Sequence, residues 1–130
     1  MVSAMIVGIG IDIVRSERIK EAIEKWEKRF LNRIFTPLEQ EYCFRHKGPH
    51  LFFGGRFAVK EAMFKALGTG WSGGVQWKEV QIENLPTGQP IVQVSGKIKE
   101  LLGHKKVEWI HVSITHDTDY SLGQVILESR

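Results

Sequence analysis

MIVGIGIDIV, residues 5–14, is a β-branched run broken only by Gly8, Gly10 and Asp12. Such a run suits a buried strand, with glycines where a second backbone or a ligand comes close. Asp12 has two readings. A carboxylate in an apolar strand is costly unless it is paired, so it either caps the helix that follows or binds a ligand.

Downstream, Ser16 is a candidate N-cap for a helix over about 17–30, with Ile19, Ile23, Trp26 and Phe30 as its buried stripe. Thr36-Pro37-Leu38-Glu39 is a capping box with proline at its first position and starts a helix to about His46. After Gly48-Pro49 a third helix is expected over roughly 50–67, with Val59, Ala62, Met63 and Ala66 on its core face and Gly68-Thr69-Gly70 ending it. Strands are expected over 75–83 and 90–95 around the turn Leu85-Pro86-Thr87-Gly88, then a short helix at Lys97–Leu102 closed by Gly103. Two further strands, 107–115 and 120–128, flank the loop His116–Asp119. One strand, then helices, then antiparallel strands is the order of an α+β fold rather than of a doubly wound parallel sheet.

The 130 residues, 42% of them hydrophobic, fit one domain (1–130) with a modest core, and a domain this small gains from association. No apolar run approaches the ~18 residues of a membrane span. The apolar start lacks the basic flank and cleavage site of a signal peptide. A single cysteine, Cys43, excludes an internal disulfide, fits a cytoplasmic chain and reads as a plain buried or half-buried thiol. Eighteen Lys and Arg against fifteen Asp and Glu leave a net charge of +3, which suits an acidic partner or anionic substrate. Without a basic arm or zinc-finger spacing, nucleic acid is not an expected partner.

Two more segments carry polar chemistry. In GRFAVKEAMFKALG (55–68), Glu61 and Lys65 are four apart and share a helix face, and Arg56 and Lys60 repeat that spacing on what reads as the polar side. Such a face is either a solvated surface with an ordinary ion pair or a polyphosphate site, its cations on phosphate oxygens and its carboxylate on Mg²⁺. The glycines do not match GxxxxGK[ST], which disfavours a Walker-type NTPase. In VSITHD (112–117), His116 emerges at a strand end, either as a phosphate donor or proton shuttle or as a plain loop residue.

GIGIDIV (8–14), GRFAVKEAMFKALGTG (55–70), LPTGQP (85–90) and VSITHD (112–117) occur in the order seen in holo-acyl carrier protein synthases, and the chain resembles that family from about residue 6 to 128. The resemblance implies a 4'-phosphopantetheinyl transferase fold, an antiparallel sheet packed against helices. The implied assembly is a homotrimer with active sites between subunits. The implied reaction is transfer of 4'-phosphopantetheine from coenzyme A to a serine of an acidic acyl carrier protein, with Mg²⁺, in fatty acid biosynthesis.

By the same resemblance Asp12 and Glu61 hold Mg²⁺, and Lys65 neutralises the pyrophosphate. Lys60 and Arg56 sit near the coenzyme A phosphates, His116 contacts them from the far strand, and Gly68 and Gly70 let backbone approach the nucleotide. Arg18, assisted by Arg15, grips the carrier protein. Two departures stand out: Thr115 where the family often has serine, which keeps a hydroxyl, and Arg15 where an acid is usual, which touches only the partner contact. Two other classes compete: a non-catalytic docking module indifferent to Mg²⁺ and coenzyme A, and a nucleotide phosphotransferase in which ATP competes equally.

Overall fold

The computed structural model describes residues 4–68 and 74–130. Strand β1 (Met5–Arg15) is followed by helices α1 (Ser16–Trp26), α2 (Lys28–Ile34), α3 (Pro37–Phe44) and α4 (Pro49–Leu67). A 3-10 turn (Trp77–Glu79) leads into β2 (Val80–Asn84) and β3 (Pro90–Val94); α5 (Gly96–His104), β4 (Val107–His116) and β5 (Tyr120–Ser129) complete the chain. One antiparallel sheet has the order β1-β5-β4, and β2 and β3 pair as a separate hairpin. The architecture is α+β, as the element order implies.

Helix α4 is the centre of the molecule. Its apolar residues surround it rather than forming a stripe, the pattern of an enclosed helix. Phe53, Ala58, Val59, Ala62, Met63 and Phe64 are at most 1% exposed. Each fully buried Phe or Met contributes about 1.5–3 kcal/mol of transfer energy. The helix lies directly on strand backbone. A Cβ at Gly8 would overlap the Ala66 carbonyl, one at Gly10 the Ala62 carbonyl, and one at Gly123 the backbone at Val59. Gly8 and Gly10 therefore admit the second backbone that their setting in the strand implied.

Strand β1 is not buried throughout, as its sequence suggested. It is an edge strand, and one face carries Ile9, Ile11 and Ile13 at 60%, 55% and 58% exposure. The side-chain period of two sends Gly8, Gly10, Asp12 and Val14 to α4 and these isoleucines outward. The helix expected over 17–30 is two helices. The backbone breaks at Glu27, where φ is 47°. The break lets Leu31 and Ile34 reach the core, and leaves Trp26, expected in the buried stripe, 48% exposed. Ser16 is the first helical residue; the N-cap is Arg15. The strand expected from 75 starts only at Val80, after the 3-10 turn.

Thr36 and Glu39 form the reciprocal capping box at the start of α3. Glu39 also does something its motif does not reveal. Fully buried, its Oε2 accepts from Ile82 N at 2.9 Å and its Oε1 from Lys60 Nζ at 2.9 Å, joining α3, α4 and β2.

Candidate active site

Asp12 stands on the α4 side of β1, opposite Gly123 of β5. Long helical side chains lean toward the helix N-terminus. Lys65 does so and places Nζ 2.9 Å from Asp12 Oδ1 and 3.0 Å from the Ile11 carbonyl oxygen. Glu61, one turn earlier, meets the same group. Its carboxyl is held above the ordinary carboxylate range, first by burial and then by the negative charge of Asp12; Lys65 and Arg18 pull the other way. Strand β1, α4 and α1 thus bring Asp12, Glu61, Lys65 and Arg18 together.

Two carboxylates of like charge, one half-buried and hard to ionise, form a donor set that a cation relieves. Hard oxygen ligands suit Mg²⁺, which is commonly held by one or two carboxylates together with substrate phosphates. Among the described residues no cluster of three or more His, Cys, Asp or Glu forms a complete metal cage. The residues present fit a substrate-completed Mg²⁺ site and not a closed structural one.

Lys60 is not with them. It is fully buried, and Nζ donates to Glu39 Oε1, to the Trp77 carbonyl oxygen at 3.2 Å and to the Val80 carbonyl oxygen. Burial pushes its ammonium pKa down. The polar side to which the sequence assigned Arg56 and Lys60 is interior, because α4 is enclosed on that flank by α3 and β2. A phosphate contact by Lys60 is overturned on that ground.

Arg56 is 3% exposed; it donates to Asn84 Oδ1 at 2.6 Å and lies 4.2 Å over the Tyr42 ring. Its Nε has no hydrogen-bond partner among the described residues. Unlike Lys60 it opens onto a cavity of about 190 Å³, lined also by Tyr42, Phe52, Asn84, Ile114 and His116. Arg56 and His116 therefore meet, on a separate part of the surface from Asp12 and Glu61. Arg56 and Glu61 are five positions apart on α4, roughly 7.5 Å along the axis and about 140° around it.

Gly68 closes α4 in the left-handed region at φ 75°, and among the described residues nothing lies within 4 Å of where a Cβ would stand. Gly70 lies outside the described residues. Arg15, at the end of β1, and Arg18, on α1, are exposed. Cys43 is fully buried, and burial pushes its thiol up to about 12, so it is inert near neutral pH.

Arg29 and Arg33 had no role among the residues singled out from the sequence. With Trp26, Phe30, Phe57 and Trp77 they line a groove of about 510 Å³ that sets two guanidinium groups among aromatic rings. Lys25 Nζ lies 5.0 Å and the Arg29 guanidinium 5.9 Å from the Trp26 ring. The signal was present in the cation–aromatic interleaving of Lys25-Trp26-Glu27-Lys28-Arg29-Phe30.

The chain lays a glycine-paved strand under one buried helix, with two acids and a lysine at their junction. Residues 8–125 match the 4'-phosphopantetheinyl transferase superfamily, and the chain belongs to it. Within that superfamily the similarity is to holo-[acyl-carrier-protein] synthases. That of Protochlamydia amoebophila is 44% identical over 96% of this chain and all of its own. The synthase of Bacillus anthracis, solved in complex with CoA (3',5'-ADP), is 37% identical with a TM-score of 0.80, covering 97% of this chain and 99% of its own. The synthase of Neisseria meningitidis is 32% identical with a TM-score of 0.86, covering 95% and 98%.

Proposed function

We propose that this chain is a holo-[acyl-carrier-protein] synthase, transferring 4'-phosphopantetheine from coenzyme A to a serine of apo-acyl carrier protein in the cytoplasm, for fatty acid biosynthesis. The observation that carries the reading is the meeting of Asp12, Glu61 and Lys65 where β1 passes α4. Near-full-length similarity to the synthases, one of them solved with its nucleotide, supports it.

Asp12 and Glu61 are the residues that would hold Mg²⁺, and the bound ion would supply positive charge against a pyrophosphate. Lys65, half-exposed, swings from Asp12 to the leaving side and offsets charge on the departing oxygen. The carrier serine Oγ forms a bond to the phosphorus nearer the pantetheine, and the bond from that phosphorus to the bridging pyrophosphate oxygen breaks. 3',5'-ADP leaves. Glu61, beside the attacking oxygen, is the residue that would accept the serine proton. One oriented base contributes about 10²–10⁴ in rate, so charge stabilisation and positioning supply most of the acceleration. Gly68, and Gly70 beyond it, give the nucleotide a side-chain-free approach.

Arg56 and His116 take phosphate oxygens of the same donor from a second copy of the chain. Their separation from Asp12 within one chain supports a site shared between subunits. Ile9, Ile11 and Ile13, each more than half exposed on an edge strand, support a homotrimer built on that face. Arg18 and Arg15 dock the acidic carrier protein, and the Trp26–Arg29–Arg33 groove extends that basic face with aromatic rings.

The test is mass spectrometry of apo-acyl carrier protein incubated with the protein, Mg²⁺ and coenzyme A. A gain of one phosphopantetheine, lost with EDTA and with Glu61→Gln, is expected. No gain across several carriers with well-folded protein overturns the reading.

A further inference from the structure

We infer that Phe52, backed by His46, is a positioning residue that holds the His116 imidazole at the mouth of the Arg56 cavity. The inference deepens the reading of Arg56 and His116 as phosphate contacts and rests on it. His116 is the last residue of β4 and exposed, a place where a side chain otherwise samples several rotamers. The edge of Phe52 meets its ring with centroids 5.4 Å apart at 68°.

Phe52 is itself fixed. It stacks on His46 at 3.9 Å and 20°, and meets Tyr42 edge-on at 6.2 Å and 73°. His46 Nδ1 donates to the Tyr42 carbonyl oxygen at 2.9 Å. Tyr42 in turn carries the Arg56 guanidinium on its ring. An aromatic column therefore connects the buried Arg56 guanidinium to the exposed His116 imidazole. Edge-to-face pairs have preferred angles, so the column selects an imidazole orientation before any anion arrives. A group ordered in advance loses less freedom on binding, and the gain falls on donor affinity rather than on the transfer step.

A double-mutant cycle on the full chain tests this. Coenzyme A affinity is read by calorimetry in Mg²⁺ buffer, with steady-state kinetics beside it. His116→Ala weakens binding. Phe52→Leu weakens it by about threefold to tenfold with kcat nearly unchanged. The double variant binds no worse than His116→Ala alone. Phe52→Tyr retains wild-type affinity. Should Phe52→Leu fold poorly, His46→Ala removes the stacking support instead and weakens binding by about twofold. The His116 ring resonance also shifts in Phe52→Leu without any nucleotide.

Losses that multiply in the double variant assign Phe52 a merely structural part and overturn the inference. Wild-type affinity in Phe52→Leu beside a weakened His116→Ala overturns the inference alone. Unchanged affinity in His116→Ala overturns the parent reading, and the inference with it.

Discussion

Replacing Lys60 with methionine separates the two roles its position admits. The side chain is fully buried and makes three hydrogen bonds, to Glu39 Oε1 and to the Trp77 and Val80 carbonyl oxygens. Methionine fills the space but leaves the Glu39 carboxylate buried without its cation. Breaking a buried pair in this way costs about 3–5 kcal/mol. Glu39 still accepts from Thr36 N and Ile82 N, both at 2.9 Å, which favours the lower end, ~3 kcal/mol. Against a total of about 5–15 kcal/mol that is a large fraction. At about 4 °C per kcal/mol the melting temperature falls by roughly 12 °C.

The assay is urea denaturation at one fixed protein concentration, because self-association feeds into apparent stability. Lys60→Met, Glu39→Gln and the double variant complete the cycle. Since no charge is left unpaired in the double variant, it recovers part of the loss relative to Lys60→Met. A Lys60→Met protein within about 1 kcal/mol of wild type, with its KM for coenzyme A raised, would refute the buried-pair argument and restore the phosphate contact implied by resemblance.

Three further outcomes are expected. In metal-free protein, Glu61, with its folded pKa raised above the ordinary 4.5, binds more protons folded than unfolded. Its contribution is therefore full at low pH and lost as pH climbs from about 4.5 through the folded value. Glu61→Gln flattens that limb of a thermal-melt series and melts slightly higher at neutral pH, while transfer falls by about 10²–10³; a steeper limb would contradict the assignment. Lys65→Met slows transfer by about 10²–10³ but does not weaken Mg²⁺ binding in calorimetry, since the lysine holds Asp12 before the ion does. Trp26→Ala raises the KM for carrier protein by about tenfold and leaves that for coenzyme A unchanged, because the groove is lined by none of Asp12, Glu61 and Lys65.

Much of the fold was legible because local rules carried it. The Thr36–Glu39 box announced α3, and β4 and β5 fall where strands were expected at 107–115 and 120–128. Lys60 was not legible. Arg56 and Lys60 repeat the spacing of Glu61 and Lys65, and a helix with apolar residues all round it offers no stripe to tell the two pairs apart. The difference is made by Glu39, 21 residues away, whose visible job was to cap a helix. Face burial is equally non-local: nothing within residues 5–14 says that no described layer of this chain packs on the Ile9, Ile11 and Ile13 face. The break at Glu27 has the same character, since a charged residue at positive φ has no local signature and persists because Leu31 and Ile34 gain burial.

The glycines of β1 and the chemistry beside them follow from one alternation. Positions 8, 10, 12 and 14 face α4, and the first two lack side chains, so the helix comes down onto backbone at Ala66 and Ala62. At position 12 the strand has run toward the earlier turns of α4, where the paired strand gives way at Gly123. A side chain there sits beside the helix flank rather than under it. The helix runs antiparallel to β1, and its side chains lean toward its own N-terminus, so Lys65 reaches back along the axis to Asp12. Glu61 is already there. A glycine two residues earlier in the strand is thus as much a determinant of the acid–acid–lysine cluster as the three residues that form it. It sets the height of the helix, and the height decides whether the 2.9 Å contact exists.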